Sequence, residues 1–271
     1  MVSIAHISDP HVGSPYFVPG LMERVIEELN DLAPDLVVVS GDLTNEGYRQ
    51  EFVTWAAYQE RISSPVRVVP GNHDARNVGY LHFEDLIGPR HWATDVQGVR
   101  IVGVDSTEPD LNEGQVGRER YGWIREKFSV EATLKVFVLH HHLLAVPGTG
   151  RERSTVADAG DLLEVLIGAG VDIVLCGHKH VPYVWRLEDV YIANAGTMSS
   201  LRLRGYTKPS YNLVEFDRDR DQVVISRCSP FGPRVPIARF CPTTGEQVDR
   251  EQEPPVQDRT SKGRPVHGRT A

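Results

Sequence analysis

Histidine, aspartate and asparagine residues of this chain occur in short clusters, and each cluster stands where an apolar run ends. The clusters are Asp9-Pro10-His11, Gly41-Asp42, Gly71-Asn72-His73-Asp74, His140-His141-His142 and Gly177-His178-Lys179-His180. Imidazole and carboxylate groups together are typical ligands of borderline transition ions such as Fe, Mn, Co, Ni or Zn. These residue types therefore predict metal binding, on condition that the fold brings the clusters together.

The clusters offer more ligand groups than a single ion requires. The candidate ligands are Asp9, His11, Asp42, Asn72, His140, His178 and His180. A tetrahedral ion is saturated by fewer ligands, whereas the larger set suits two ions that share a bridge, and the central Asp42 can be that bridge. Two ions about 3.5–4 Å apart stabilise both the attacking and the leaving oxygen in phosphoryl hydrolysis. The set thus predicts a dinuclear hydrolytic centre.

The triple histidine leaves the identity of one ligand open. His140 is the first residue after the apolar run Leu134–Leu139, and this position favours it as the ligand. A strand that ends one residue later would make His141 the ligand instead. We expect His142 to lie beside the site or on the surface.

Single clusters also have ordinary structural interpretations. His11 or His140 alone would more often be a hydrogen-bonded structural histidine than a ligand, and Gly41-Asp42 alone is a common turn. Gly177-His178-Lys179-His180 alone would suit a surface loop. It is the joint occurrence of the clusters, in order and at strand ends, that favours one shared site.

The elements that must position these residues are strands, because each cluster follows a strand-like segment. The segments are Val2–Ile7, Leu36–Val39, Val66–Val69, Leu134–Leu139 and Val171–Cys176. Loops beyond the carboxyl ends of strands converge in open α/β sheets. Apolar residues at helical spacing separate these strands, and strand patterns dominate after Val181. The pattern predicts an α/β fold of two packed sheets with helices outside.

Composition limits the classes of partner. The chain has 271 residues with a formal net charge of -8, which argues against a nucleic-acid partner because such binding relies on many Lys and Arg contacts to phosphates. No apolar run is long enough to span a membrane, and the amino terminus does not resemble a signal peptide. Three cysteines in no metal-binding pattern favour a reduced, cytoplasmic location.

The clusters in their order resemble the signature of the calcineurin-like metallophosphoesterase superfamily, which is D-x-H, G-D, G-N-H-[DE], H and G-H-x-H. The match covers residues 9–180, and the context Gly41-Asp42-Leu43-Thr44 is most similar to the cyclic-nucleotide and glycerophosphodiester phosphodiesterase branch. One departure is His140-His141-His142-Leu143-Leu144, where members of this branch often have His-His-Pro-Pro. The resemblance implies a four-layer α-β-β-α sandwich of two packed mixed sheets with flanking helices.

The resemblance also assigns roles to the candidate residues. It implies one ion on Asp9, His11 and His180, a second on Asn72, His140 and His178, and Asp42 as the bridge between them. It implies that His73 is not a ligand but stabilises charge or donates a proton to the leaving oxygen. We expect Asp74 to hold the His73 ring through its second nitrogen.

The implied activity is hydrolysis of a small phosphodiester, of cyclic nucleotide or glycerophosphodiester type, by a metal-bound hydroxide. A phosphomonoesterase or nucleotide pyrophosphatase on the same site is the alternative, and a nuclease is disfavoured by the acidic composition. A non-catalytic scaffold with this fold would usually have lost site histidines, whereas all are present here. The oligomeric state stays open.

Two further expectations concern the periphery. Residues 1–240 are expected to form the metallophosphoesterase domain and residues 241–271, rich in Pro, Gly and charge, a disordered carboxyl-terminal tail. Arg151 and Arg153 follow the triple histidine in a glycine-bearing loop. They would either bind a substrate phosphate or pair with Glu152 in solvent.

Overall fold

Two mixed β-sheets form the centre of the computed structural model, which describes residues 1–150, 155–204, 207–244 and, by backbone alone, 247–249. Within the described residues, the first sheet has seven strands. In order across the sheet they are β13 (Gln247–Asp249), β12 (Arg234–Phe240), β11 (Gln222–Cys228), β10 (Tyr211–Asp217), β1 (Val2–Ile7), β2 (Leu36–Val39) and β3 (Val66–Val68). β1, β2 and β3 run parallel, and β10 pairs antiparallel with β1.

The second sheet has six strands in the part of the chain that the structure describes. In order they are β4 (Trp92–Val96), β5 (Val99–Gly103), β6 (Leu134–Val138), β7 (Ile173–Cys176), β9 (Val190–Asn194) and β8 (Tyr183–Leu187). The four central strands are parallel, whereas β4 and β8 close the two edges in antiparallel pairing.

Helices cover the outer face of each sheet. α1 (Pro19–Leu32), α2 (Arg49–Gln59) and α3 (Gly79–Leu86) pack on the first sheet, and α4 (Arg118–Phe128) and α5 (Ala159–Gly168) pack on the second. Between the sheets lies a separate core that includes Ile4, Val38, Val136 and Leu175. The expected α-β-β-α sandwich of mixed sheets is therefore confirmed.

The apolar run of β2 shows why its sequence does not alternate. Val38 belongs to the core between the sheets, while Val37 and Val39 pack under the helices, so every side chain of the strand is buried. A strand that is covered on both faces needs apolar residues at every position. β2 therefore sits in the middle of the sandwich, and its carboxyl end opens directly into the loop that carries Asp42.

Among the described residues, four elements are absent from the sequence-based prediction, namely α3, β4, β12 and β13. β12 contains Pro236, which lacks the amide proton that a central strand donates. The ladder between β11 and β12 shifts register between Ile225 and Ser226. Ser226 is the partner of Pro236, so this irregularity accommodates the proline.

Three residues of the segment expected to be a tail join the first sheet. Gln247–Asp249 pairs with β12 as an antiparallel edge strand, so these residues extend the sheet beyond the predicted boundary at residue 240. Residues 250–271 lie outside the described residues, and the tail stays a prediction for them. None of the helices in the described part of the chain combines the length and apolar character that crossing a membrane requires.

Candidate metal centre

The five ligand-bearing loops leave the sheets at the carboxyl ends of β1, β2, β3, β6 and β7. Backbone hydrogen bonds join neighbouring loops: Asp9 N–H donates to the Gly41 carbonyl and His11 N–H to the Asp42 carbonyl, both at 3.0 Å. Gly177 N–H donates to the His140 carbonyl at 3.0 Å and so ties the β7 loop to the β6 loop. The loops are thus attached to each other before any ligand is considered.

Glycines make this close approach possible. Gly41 has a φ of +87°, and a Cβ there would strike the backbone of Pro70 and Gly71. A Cβ on Gly71 would in turn strike the Asp42 side chain. The Gly-Asp and Gly-Asn-His-Asp motifs therefore need their glycines because the β2 and β3 loops touch there backbone to backbone.

Five of the seven candidate ligands lie in the left-handed region of backbone conformation. The φ values are 53° for Asp9, 52° for His11, 53° for Asp42, 70° for His178 and 56° for His180. Residues with a Cβ are uncommon in this region and cluster at functional sites, where the surrounding structure imposes them. Here the unusual backbone turns all five side chains out of the strand direction towards one point.

Asp9, His11 and His180 form the first group of converging atoms. The Nε2 atoms of His11 and His180 lie 2.9 Å apart. Asp9 Oδ1 lies 3.2 Å from the Nε2 atom of His180 and 3.8 Å from that of His11. His180 Nδ1 donates to the Arg202 carbonyl at 2.6 Å, which directs Nε2 towards the group.

Asn72, His140 and His178 form the second group. Asn72 Oδ1 lies 3.0 Å from His178 Nδ1 and 3.2 Å from His140 Nε2, and these two nitrogens are 3.2 Å apart. His140 Nδ1 donates to the Ser40 carbonyl at 2.7 Å, so its Nε2 faces the group. The imidazoles of this group come from the second sheet, and the amide comes from the first.

Asp42 lies between the two groups. Its Oδ2 is 3.6 Å from His11 Nε2, and its Oδ1 is 3.4 Å from His140 Nε2. The Oδ1 atom also accepts a hydrogen bond of 2.9 Å from the His73 backbone N–H. One carboxylate oxygen is thus directed to each group, which is the arrangement that a bridging ligand requires.

Burial and mutual charge shift the protonation of these groups. Burial lowers the pKa of His11 to about 3 and holds that of His178 well below its ordinary value. Burial opposes ionisation of Asp42, yet the neighbouring imidazoles, His140 foremost, hold the pKa of this carboxyl well below its ordinary value. His140 is buried too, but the charge of Asp42 outweighs that effect and raises its pKa to about 9.

The donor set fits cations. The candidate ligand atoms within each group lie within 4.8 Å of one another, and all carry lone pairs. Asp9 Oδ1 is buried and makes no well-directed hydrogen bond among the described residues. Lone pairs that converge in a buried place repel one another unless protons or metal ions lie between them. Nitrogen and oxygen donors in this combination suit borderline divalent ions.

His73 lies beside the first group, but its ring partner differs from the expected one. Its Nδ1 donates to the Asn45 backbone carbonyl at 2.5 Å, and its ring meets that of His11 edge to face, with centroids 4.7 Å apart. The predicted contact between Asp74 and the His73 ring is wrong. The reason is that the Asp74 carboxylate already accepts four hydrogen bonds, at 2.8–3.1 Å. The donors are the backbone N–H groups of Leu43, Thr44 and Gly71 and the hydroxyl of Thr44.

Asp74 therefore holds the β2 and β3 loops together. Burial, together with the charge of Asp42, raises the pKa of Asp74 to about 7, although its hydrogen bonds favour the anion. A carbonyl oxygen in the place of the expected carboxylate still fixes the tautomer of His73, since it can only accept. The Nε2 atom of His73 is thereby left for other partners.

The triple histidine divides into three different environments. His140 enters the second group, as the apolar run that precedes it favours. His141 does not: its Nε2 donates to the Asn112 carbonyl at 3.2 Å, and its Nδ1 lies 2.9 Å from Ser106 Oγ. His142 stacks on the ring of His178, with centroids 5.5 Å apart.

Some supporting residues were not found from the sequence. Ser40 and Asn45 act through backbone carbonyls, which any residue type would supply, so the sequence carries no signal for them. Asn112 belongs to a loop between β5 and α4 that no motif marks. The sequence analysis did not single out Arg76, although it stands two residues after Gly71-Asn72-His73-Asp74. Arg151 and Arg153 lie outside the described residues.

Comparison with known proteins agrees with this geometry. Residues 2–182 match the family model for calcineurin-like phosphoesterases. The chain belongs to the calcineurin-like phosphoesterase family. Membership confirms the expected metal-dependent phosphoric ester hydrolase, and the matched range contains every candidate ligand.

Curated relatives of this calcineurin-like phosphoesterase are phosphodiesterases. A probable cyclic nucleotide phosphodiesterase of Rhodococcus erythropolis is 28% identical over 283 residues, which cover 92% of this chain and 88% of the relative. A glycerophosphodiester phosphodiesterase of Enterobacter lignolyticus is 26% identical over 196 residues, which cover 65% of this chain and 70% of the relative. Both belong to the branch that the Gly41-Asp42-Leu43-Thr44 context resembles.

Solved structures share the fold. A dimetal phosphatase of Danio rerio superposes with a TM-score of 0.66 at 14% identity, over 87% of this chain and 98% of that one. At this identity the likeness concerns the architecture alone. It agrees with the two mixed sheets and flanking helices described above.

Proposed function

We propose that this calcineurin-like phosphoesterase is a dinuclear-metal-dependent phosphodiesterase. Its substrate would be a small phosphodiester of cyclic nucleotide or glycerophosphodiester type. The observation that carries the proposal is the division of the ligand atoms into two groups, with one oxygen of Asp42 directed to each. The named activities of the curated relatives support the choice of a diester.

Each residue of the site has a place in the proposed reaction. Asp9, His11 and His180 would hold one ion, Asn72, His140 and His178 the other, and Asp42 would bridge them. When bound, two divalent ions such as Fe, Mn, Co, Ni or Zn would supply Lewis acidity and an activated water. The ligand loops come from both sheets, so the fold fixes the distance between the two halves of the site.

His73 would act on the leaving oxygen. Its Nδ1–H is engaged by the Asn45 carbonyl, so the imidazolium form of the ring would deliver the proton on Nε2 to the departing alkoxide and end as the neutral ring with its proton on Nδ1. Its backbone N–H donates to Asp42 Oδ1, which keeps the ring close to the proposed bridge. In this role His73 binds no metal.

A covalent route through cysteine has no support in the structure. Cys176 ends β7 close to the site, but it is fully buried and burial raises the pKa of its thiol. A thiol that stays protonated is a poor nucleophile. Direct attack by water is therefore the route that we propose. The three cysteines are free thiols, and we therefore include a reduced, cytoplasmic location in the proposal.

The proposal is tested by hydrolysis of bis-p-nitrophenyl phosphate with added Mn²⁺, with and without a chelator. We expect turnover that requires the metal, followed by product release from some member of a panel of cyclic nucleotides and glycerophosphodiesters. Absence of turnover across several divalent ions would overturn the proposal. Preference for phosphomonoesters or nucleotide pyrophosphates in the same panel would reassign the substrate.

Asp42→Ala tests the bridge. Removal of the carboxylate between the two groups should strongly reduce both the metal content and the activity, because each ion loses a ligand. Asp161→Ala is the matched control, since Asp161 pairs with Arg118 on the surface. Metal content measured by atomic emission that is equal in Asp42→Ala and Asp161→Ala would show that the site is misassigned.

A further inference from the structure

A chain of hydrogen bonds runs from Arg76 to the proposed metal ligand Asn72. Arg76 Nη2 donates to Asn112 Oδ1 at 2.9 Å, and the same oxygen accepts from Asn72 Nδ2 at 3.3 Å. On the other side of its amide, Asn72 presents Oδ1 to His140 and His178. The three residues come from two loops that the fold brings together next to the second ligand group.

The direction of each amide in this chain follows from donor chemistry. A guanidinium can only donate, so the atom of Asn112 that faces Arg76 must be its oxygen. An oxygen can only accept, so the atom of Asn72 that faces Asn112 must be its nitrogen. The oxygen of Asn72 is thereby directed to the two histidines, and it is the only atom of the amide that can bind a cation.

Arg76 is itself held in one orientation. Its Nη1 donates to the Asn45 carbonyl at 3.2 Å and to Glu46 Oε1 at 3.4 Å, and its side chain is only 24% exposed. A planar guanidinium that is fixed through one nitrogen presents the other in a defined direction. Nη2 therefore faces Asn112 without further adjustment.

The backbone of Asn112 is fixed as well. Its carbonyl accepts from His141 Nε2 at 3.2 Å, and the preceding Asp110 accepts at Oδ1 from the Asn77 N–H at 2.9 Å. These contacts anchor the loop between β5 and α4 to the β6 and β3 loops. They also give His141 a supporting place beside the site.

We propose that Arg76 and Asn112 are positioning residues that orient the Asn72 amide for the second metal ion. The inference rests on the proposed function, in which Asn72 is a ligand. Asn112 is exposed on its outer side, so water would take its place in a variant. Because water can donate as well as accept, it would leave both orientations of the Asn72 amide accessible. The apparent affinity would then fall in proportion to the fraction of molecules that still present oxygen to the ion, so a ten-fold loss corresponds to about one molecule in ten.

The test is a calorimetric titration of metal-free protein with Mn²⁺ alone, which resolves two binding events. We expect Asn112→Leu and Arg76→Met to weaken one event by about ten-fold, the usual size for loss of a group that orients a metal ligand. The other event should keep its affinity. Arg118→Met, at an exposed surface pair, is the matched control and should bind both ions as the wild type does.

Asn112→Asp separates orientation from mere packing. Aspartate has the same shape and keeps an acceptor towards both Arg76 and Asn72, so it should restore Mn²⁺ affinity to within a few-fold of wild type. Adding Arg76→Met to Asn112→Leu should cause little further loss of Mn²⁺ affinity, because both residues act through the amide of Asn72. This pair of results would not arise from general destabilisation of the loop.

Two results would overturn the inference. One is wild-type affinity for both ions in folded Arg76→Met and Asn112→Leu. The other is equal weakening of both binding events in either variant. The titration measures Mn²⁺ binding and does not depend on turnover. The proposed function fails separately, if the wild type binds Mn²⁺ but hydrolyses no phosphodiester. If Asn112→Leu does not fold, Arg76→Met and Asn112→Asp decide it.

Discussion

At the scale of single residues, the site is organised by hydrogen bonds that determine which atom of each side chain faces its centre. His140 and His180 each give one ring nitrogen to a backbone carbonyl, so that the other nitrogen faces the ligand groups. His73 gives Nδ1 to the Asn45 carbonyl in the same way. In many metal sites a carboxylate accepts the hydrogen bond from the ligand histidine. Here backbone carbonyls accept it instead, and they add no charge to a buried site.

The proposed role of His73 predicts a dependence on the leaving group. His73→Asn should lower kcat by about 100-fold or more for a diester with an alkoxide leaving group, which needs a proton as it departs. The loss should be much smaller for bis-p-nitrophenyl phosphate, because p-nitrophenolate leaves without protonation. Steady-state kinetics on both substrates, at equal metal content, measure the difference. An equal loss on both would assign His73 to charge stabilisation or to structure.

At the scale of elements, the ligand loops occupy one edge of the sandwich, and the opposite edge carries a different kind of polar contact. Asp172 stands directly before β7, and its Oδ2 accepts from the Lys135 N–H at 2.7 Å. Burial raises the pKa of Asp172 to about 6 from an ordinary value of 3.8. This carboxyl lies at the amino ends of β6 and β7, whereas the candidate ligands follow their carboxyl ends.

This shift predicts how the stability of the fold depends on pH. A raised pKa means that the folded state favours the neutral carboxyl, so the stabilisation is fully present below 3.8 and is lost as the pH rises through about 6. Asp172→Asn stays neutral at every pH. Its gain in unfolding free energy over wild type should therefore be larger at pH 8 than at pH 5, by about 1 kcal/mol.

The measurement is denaturant unfolding of the metal-free protein in chelator at both pH values, so that metal binding does not contribute. Asp189→Asn is a suitable control, because the side chain of Asp189 is 85% exposed. A gain for Asp172→Asn that is the same at pH 5 and pH 8 would contradict the predicted titration.

At the scale of the whole molecule, the site joins the two sheets. Three ligand loops belong to the first sheet and two to the second, and the apolar core between the sheets sets their separation. A cation held by both halves binds only the folded chain, because the unfolded chain cannot bring the five loops together. Binding and folding are therefore coupled.

Removal of metal should accordingly destabilise the fold. We expect the Tm to fall in the presence of a chelator and to rise with the concentration of Mn²⁺, with a stabilisation of about 2.7 kcal/mol at a hundred-fold excess over Kd. Thermal unfolding across a Mn²⁺ series measures the effect, and Asp42→Ala should show much less of it. A wild-type Tm that does not change over the series would contradict a resident metal site.

The sequence by itself determined the parts of this protein that depend on local pattern. The bounds of β1 and β2 follow from apolar runs, and the ligand residues stand out because motifs repeat one arrangement after each strand. Local pattern failed for β12, where Pro236 is accommodated by an irregular register that only the partner strand reveals.

Only the tertiary structure decided which atoms meet. The strand end favoured His140 over His141, but only the fold brings His140 next to Asn72 and directs His141 to a loop near Asn112. It replaced Asp74 by the Asn45 carbonyl as the partner of His73, and it revealed the chain from Arg76 to Asn72. Such contacts join residues that are far apart in the sequence. They are made by backbone groups and by exposed loops, and these leave no pattern of residue types that a sequence analysis can detect. The two-sheet frame that brings them together is the physical reason why the motifs become a site.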